Sequence, residues 1–157
     1  MKNVEVKADT IISSPISNVA EYTTDPDNAP EWYRNIDRSV WKSAKPLQVG
    51  SHIGFSANFL GKKMSYTYEI KEFIPEKKLV MEAIDSPLAM QTTYLWESVG
   101  EGKTRMTLIN RGKSSKFFGF LSPLMAIAML RAMKTNLKDL KKILEKSEHG
   151  KATDILR

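Results

Sequence analysis

The sequence predicts an α+β fold: one seven-stranded antiparallel sheet covered by a long C-terminal helix, with two short helices between strands 1 and 2. Three observations predict it. Seven segments alternate apolar and polar residues with the two-residue period of a half-buried strand. The last six are separated by turn residues at hairpin spacing. The chain then closes on a run whose apolar residues recur at steps of three and four, which is one face of a helix.

The first strand covers 4–12, with Val4, Val6, Ala8 and Thr10 on one side and Glu5, Lys7 and Asp9 on the other. Ser14-Pro15 opens a short helix, with Ser14 as the expected N-cap and Pro15 as the first helical residue. Asp25-Pro26 stops it, and a second short helix is expected over 29–33. Strands follow at 36–43, 52–59, 63–73, 78–84, 88–98 and 104–111, broken by Val49-Gly50, Gly61, Pro75-Glu76, Ser86-Pro87 and Gly100-Glu101-Gly102. Connections this short join antiparallel neighbours, so these six strands form a meander. Ser122-Pro123 opens the long helix, with Ser122 as N-cap, and the helix is expected to reach Glu145 or Ser147. It is the one element large enough to cover a face of the sheet. Residues 1–147 thus read as a single domain and 148–157 as a polar tail.

The chain has 157 residues, enough for one buried core. It has no cysteine, so disulfides and thiolate metal sites are excluded. The opening MKNVEVKADTII lacks the continuous apolar core of a signal peptide, which points to a cytoplasmic protein. The net charge of +6 comes from lysines and arginines spread along the chain, many beside acids. Without a basic cluster interleaved with aromatics, no nucleic-acid partner is expected.

Several stretches carry a resemblance. Pro15 and Val19, Asp25-Pro26, Pro30-Glu31-Trp32 and Ile36 open the pattern. Val49-Gly50, then Ile70 with Phe73 and Pro75, continue it; Gly102 to Thr107, and Leu140 with Leu144-Glu145, complete it. In order and spacing these resemble the superfamily of START lipid-transfer domains, polyketide cyclases and dehydrases, and Bet v 1-type plant proteins. The resemblance covers nearly the whole chain. It implies a helix-grip fold, a curved sheet around the C-terminal helix with a cavity between them. It implies, across the family, lipid transfer, hormone binding, ring cyclisation or co-chaperone activity, and fold alone does not choose among these.

Strand phase names the side chains that would face such a cavity. They are Met64, Tyr66, Tyr68 and Ile70 in the fourth strand, Met90, Thr92, Tyr94 and Trp96 in the sixth, and Met106, Leu108 and Asn110 in the seventh. A few hydroxyls and an amide among apolar walls suit a small-molecule site. The same rows also read as plain core. Trp32, which in the family packs at the cavity rim, has the parallel reading of a core anchor for the short helices.

The stretch 114–130, SSKFFGFLSPLMAIAML, is uncharged from 117 to 130. The first turns of its helix are apolar around nearly the full circle, so more than one side needs cover. A membrane span needs about 20 apolar residues, more than the run supplies. Three fates stay open: a gate over the cavity from Phe117, Phe118 and Leu121 with Met125 and Met129 as adaptable lining; a homodimer interface; or transient membrane contact through 117–121.

Chemistry is thinly represented. His52 and His149 have no metal-site spacing, and no nucleophile elbow, phosphate loop or dinucleotide fingerprint occurs, so no metal, cofactor or catalytic residue is assigned. His52 falls opposite Ile53, Phe55 and Phe59 and so faces solvent if those three face the core. Glu69, Glu82 and Glu97 lie on the outward phase, to pair with Lys71, Arg105 or Arg111. The first reading of function is binding or transport of a hydrophobic small molecule: a lipid, an isoprenoid or a polyketide-like aromatic. The alternatives are a cyclase or dehydratase acting in the same cavity, with Tyr66, Tyr68, Tyr94 and Asn110 as hydrogen-bonding groups, and a protein-interaction module.

Overall fold

The computed structural model describes residues 4–59, 61–85, 90–112 and 123–155. Its strands are β1 Val4–Ile12, β2 Ile36–Trp41, β3 His52–Phe59, β4 Lys62–Ile74, β5 Lys78–Ala83, β6 Met90–Gly100 and β7 Lys103–Gly112. Between β1 and β2 lie α1 Ile16–Thr24, a 3-10 turn at Pro26–Asn28 and α2 Ala29–Trp32; the chain closes on α3 Pro123–Ile155. The fold is the expected α+β helix-grip arrangement.

All seven strands pair antiparallel in the order β1-β7-β6-β5-β4-β3-β2. The meander runs from β2 to β7, and β1 returns to pair with β7, with Glu5 opposite Arg111 and Thr10 opposite Met106. β1 and β2 are therefore the two edges of an open sheet. The alternation read from the sequence holds: Ile53, Ile70, Leu79, Met106 and Leu108 are all 2 % exposed or less. In β4 the register shifts between Ile70 and Glu72. This bulge brings Phe73, an odd-numbered residue, onto the same packed side as Ile70.

Helix α3 lays Met133, Leu137, Leu140 and Leu144 into the core at steps of three and four. Its outer edge is pinned to the β1–α1 corner: Lys141 Nζ donates to the Ile11 carbonyl at 2.7 Å, and the Ser13 amide donates to Glu145 Oε2 at 2.7 Å. On the other side of the corner, Trp96 Nε1 in β6 donates to the Thr23 hydroxyl at 3.1 Å, which ties α1 to the sheet.

Three expectations about helix ends need correction or fall elsewhere. Ser14 is not the N-cap of α1. Pro15 holds that place, with an extended ψ of 149°, and its carbonyl accepts from the amides of Asn18 and Val19 at 3.0 and 3.1 Å. The Ser14 hydroxyl instead donates to Glu148 Oε1 at 3.3 Å. The same carboxylate accepts from Asn18 Nδ2 at 2.6 Å, so residues read as a polar tail continue α3, which runs to Ile155. Ser122 lies outside the described residues.

Charged residues on the outer surface pair much as their phase suggests. Glu69 meets both Lys71 and His52, the latter at 2.9 Å, and Arg105 lies 3.8 Å from Glu97. Glu82 accepts from the Gln91 amide at 3.1 Å. Arg34, just past α2, holds Asp139 of α3 through two bonds of 2.6 and 3.1 Å. Hydrogen bonding to Arg34 lowers the Asp139 carboxyl below its ordinary 3.8. A depressed folded-state pKa stabilises the fold above 3.8, and that contribution fades as pH falls through the folded value. Replacing Arg34 with methionine is expected to flatten this part of the acid limb, read by urea midpoints between neutral and acid pH. The amplitude will be small, since Arg34 is largely exposed.

Candidate functional site

The inward rows of the sheet do not reach α3 everywhere. A cavity of about 160 Å³ separates them. Its sheet wall is built by Phe55 and Ala57 of β3, Met64, Tyr66 and Tyr68 of β4, Met81 and Ala83 of β5, Met90, Thr92 and Tyr94 of β6, and Asn110 of β7. Ala29, Tyr33, Asn35 and Ile36 close the end toward α2. Met125, Met129, Ala132, Met133 and Asn136 of α3 form the roof.

Packing fixes the wall. Tyr66 and Tyr68 sit edge to face with ring centroids 5.3 Å apart, and both lean on Phe55 at 5.9 and 5.8 Å. Tyr94 stands edge-on to Trp96 at 6.2 Å and packs on Trp32 at 5.7 Å. Two polar chains run through these rings. The Tyr33 and Tyr94 hydroxyls bond each other at 2.9 Å. Thr92 Oγ1 donates to Asn110 Oδ1 at 2.8 Å and lies 3.1 Å from the Tyr68 hydroxyl. The threonine has one proton and gives it to Asn110, so Tyr68 is the donor in the second bond.

Burial pushes the Tyr33, Tyr66 and Tyr94 phenols well above their ordinary value of 10.0 and raises that of Tyr68 against the lowering effect of its bond to Thr92. Neighbouring phenols add to the rise at Tyr33, Tyr66 and Tyr94. All four are neutral O–H groups at physiological pH. Chemically the wall presents thioethers, aromatic faces, hydroxyls and amides.

The structure brings Met64, Tyr66, Tyr68, Met90, Thr92, Tyr94, Asn110, Met125 and Met129 onto one cavity. It places two others behind it. Met106 is fully buried in β7, and Trp32, 1 % exposed, backs Tyr33 and Tyr94 as a core anchor. Phe117, Phe118 and Leu121 lie outside the described residues, and with them the gate expected of 117–121. Leu124 and Ile127 at the start of α3 are 78 and 50 % exposed.

Some wall residues escaped the sequence reading. Tyr33 follows Trp32 at the end of α2, where the backbone leaves helical geometry for φ −94°, ψ 104°. Consecutive aromatic rings then both turn inward, which no period predicts. Asn136 sits one position before Leu137, and its Oδ1 accepts the Arg34 amide at 3.3 Å. A lone amide beside an apolar stripe was the available signal. Phe55 was in phase, and its row needed only to be extended to the cavity.

The chain matches, over residues 3–145, the family described as polyketide cyclase / dehydrase and lipid transport. No curated protein sequence matches it. Among solved structures, TTHA0849 from Thermus thermophilus superposes with a TM-score of 0.76 at 19 % identity, over 92 % of this chain and 99 % of that one. The Zhui aromatase/cyclase from Streptomyces sp. R1128 gives 0.73 at 14 % identity, covering 92 and 95 %. Ginseng major latex-like protein 151 from Panax ginseng gives 0.69 at 15 %, covering 90 and 97 %. At these identities the structural likeness speaks for the fold, while the family match spans nearly all of the sequence: this chain belongs to the polyketide cyclase / dehydrase and lipid transport family.

Proposed function

We propose that the protein binds a hydrophobic small molecule, of lipid, isoprenoid or polyketide-like type, in the cavity between the sheet and α3. The observation that carries this reading is the wall itself. Methionine, aromatic and alanine side chains from four strands, β3 to β6, and from the two helices α2 and α3 line a space of about 160 Å³. An apolar cavity of about 150 Å³ in a protein core stays dry and takes up benzene or xenon. Six wall methionines (Met64, Met81, Met90, Met125, Met129 and Met133) make a surface that adapts to ligand shape.

A cyclase or dehydratase acting on a ligand in the same space is the second reading. It is favoured by the paired hydroxyls of Tyr33 and Tyr94 and by the likeness to an aromatase/cyclase. The binder is preferred because the titratable groups on the described wall are phenols that burial keeps protonated. They serve as hydrogen-bond donors and are poor bases.

Native mass spectrometry of gently purified protein is expected to show a retained or exchangeable apolar ligand. Ala132→Trp and Met125→Trp each push an indole into the space and are expected to lower its occupancy. Unchanged occupancy in both variants would remove the cavity as the binding site. Turnover of a cyclisable substrate by the wild-type protein would favour the enzyme.

A further inference from the structure

The outward side of α3 differs in kind from the side that meets the sheet. Leu124, Ile127, Arg131, Lys134, Lys138 and Lys142 recur at steps of three and four, and all six are exposed. They lie opposite Met133, Leu137, Leu140 and Leu144, which fill the core. From Leu124 to Lys142 this line runs about 27 Å along the helix axis. It begins apolar and continues cationic. Leu124 is the most exposed large apolar side chain among the described residues, and Ile127 follows it one turn on. The other exposed side chains of that kind stand singly, on separate strands and connections.

The positive charge of this face is not neutralised locally. None of Arg131, Lys134, Lys138 and Lys142 forms an ion pair among the described residues. The acids of the same stretch are committed elsewhere. Lys138 and Lys142 flank Asp139, but its carboxylate is bonded twice to Arg34. Glu145 accepts from Lys141 and from the Ser13 amide.

We propose that this face of α3 docks on a bilayer surface bearing anionic headgroups. Leu124 and Ile127 enter the headgroup boundary, and the four cations lie over the headgroups. Charge complementarity selects an anionic partner. A nucleic-acid duplex would answer the charges but offer Leu124 and Ile127 nothing apolar to enter, whereas a lipid surface satisfies both. No described helix is long and apolar enough to cross a membrane, so α3 lies along the surface and does not span it. The same first turns carry Met125 and Met129 on their cavity side, so docking sets the cavity roof toward the bilayer. Docking needs no ligand in the cavity and goes beyond the binder reading.

Flotation of the intact chain with extruded vesicles tests this. Phosphatidylcholine alone is compared with an equimolar mixture of phosphatidylcholine and phosphatidylglycerol, near physiological ionic strength. The protein is expected to float with the anionic vesicles and to stay in solution with the neutral ones. A basic residue near an anionic surface is worth roughly fivefold in partitioning, so Lys134→Gln with Lys138→Gln should lower it about 25-fold. Lys134→Arg with Lys138→Arg should keep it. Leu124→Ser with Ile127→Ser should lower it about tenfold or more at unchanged charge. All four positions are exposed, so urea midpoints should stay near wild type, which separates loss of docking from loss of the fold. Equal partitioning into neutral and anionic vesicles, or partitioning unchanged in either the glutamine or the serine pair, would overturn the proposal. Tight binding of a DNA duplex that the glutamine pair abolishes and the serine pair leaves intact would likewise overturn it, and assign the face to nucleic acid. The cavity reading stands or falls separately, on the ligand seen by mass spectrometry.

Discussion

Replacing Trp32 with alanine is expected to lower the unfolding free energy by about 3–5 kcal/mol, measured by urea denaturation at neutral pH. The indole is 1 % exposed and lies between the short helices and the sheet, with ring centroids 4.2 Å from Tyr33 and 5.7 Å from Tyr94. Its Nε1 has no acceptor among the described residues, so truncation breaks no hydrogen bond and the cost comes from lost packing and the space left behind. Domains of this size carry about 5–15 kcal/mol in all, so the variant should be close to the limit of folding. Trp32→Phe is the milder companion, expected to retain most of the stability. A ligand-binding readout belongs beside the unfolding curve. Without the indole behind them, Tyr33 and Tyr94 lose the surface that holds their hydroxyls 2.9 Å apart. A loss below about 1 kcal/mol would mean that the neighbouring rings collapse into the gap, and that Trp32 is not the anchor described above.

Leu140→Ala is the second large effect, at about 2–5 kcal/mol. Leu140 is fully buried on the face of α3 that packs along β1, where Lys141 and Glu145 also fasten the helix to residues 11–13. Met125→Ala, one of the roof positions, makes the informative contrast. That side chain is only partly buried and already borders open space, so its removal enlarges a void and does not create one. Its cost should fall well below that of Leu140→Ala, and ligand affinity should change more than stability. Equal losses at the two positions would argue that the roof is packed as tightly as the core.

The sheet was largely legible because alternation is a local property. Each of Tyr66, Tyr68, Thr92, Tyr94 and Asn110 could be assigned a face from its immediate neighbours, and pairing geometry then carried all five to one cavity. The long helix was legible for the same reason from Met133 onward. Residues whose placement depends on a break in regularity were harder to read. Tyr33 owes its inward turn to the end of α2, and Phe73 owes its own to the bulge beyond Ile70. Helix ends depend on distant partners too. Ser14 falls one residue outside the N-cap, which Pro15 occupies, and its hydroxyl donates instead to Glu148 on α3. Met106 and Trp32 show the remaining gap: phase told inside from outside, but not which inward side chains meet empty space and which meet other side chains.

The pairing of β1 with β7 has a consequence for how the chain comes to be made. Lys7 pairs with Ile109 and Thr10 with Met106, partners on the far side of the whole meander. During synthesis the first strand therefore waits, with one edge unsatisfied, until the whole meander through β7 has left the ribosome. The helix that seals the sheet emerges later still. Topologies dominated by such distant closures fold slowly and expose unpaired edges meanwhile. Glu5, Lys7 and Asp9 alternate along that waiting strand, and their charges discourage it from pairing with the same strand of another nascent chain.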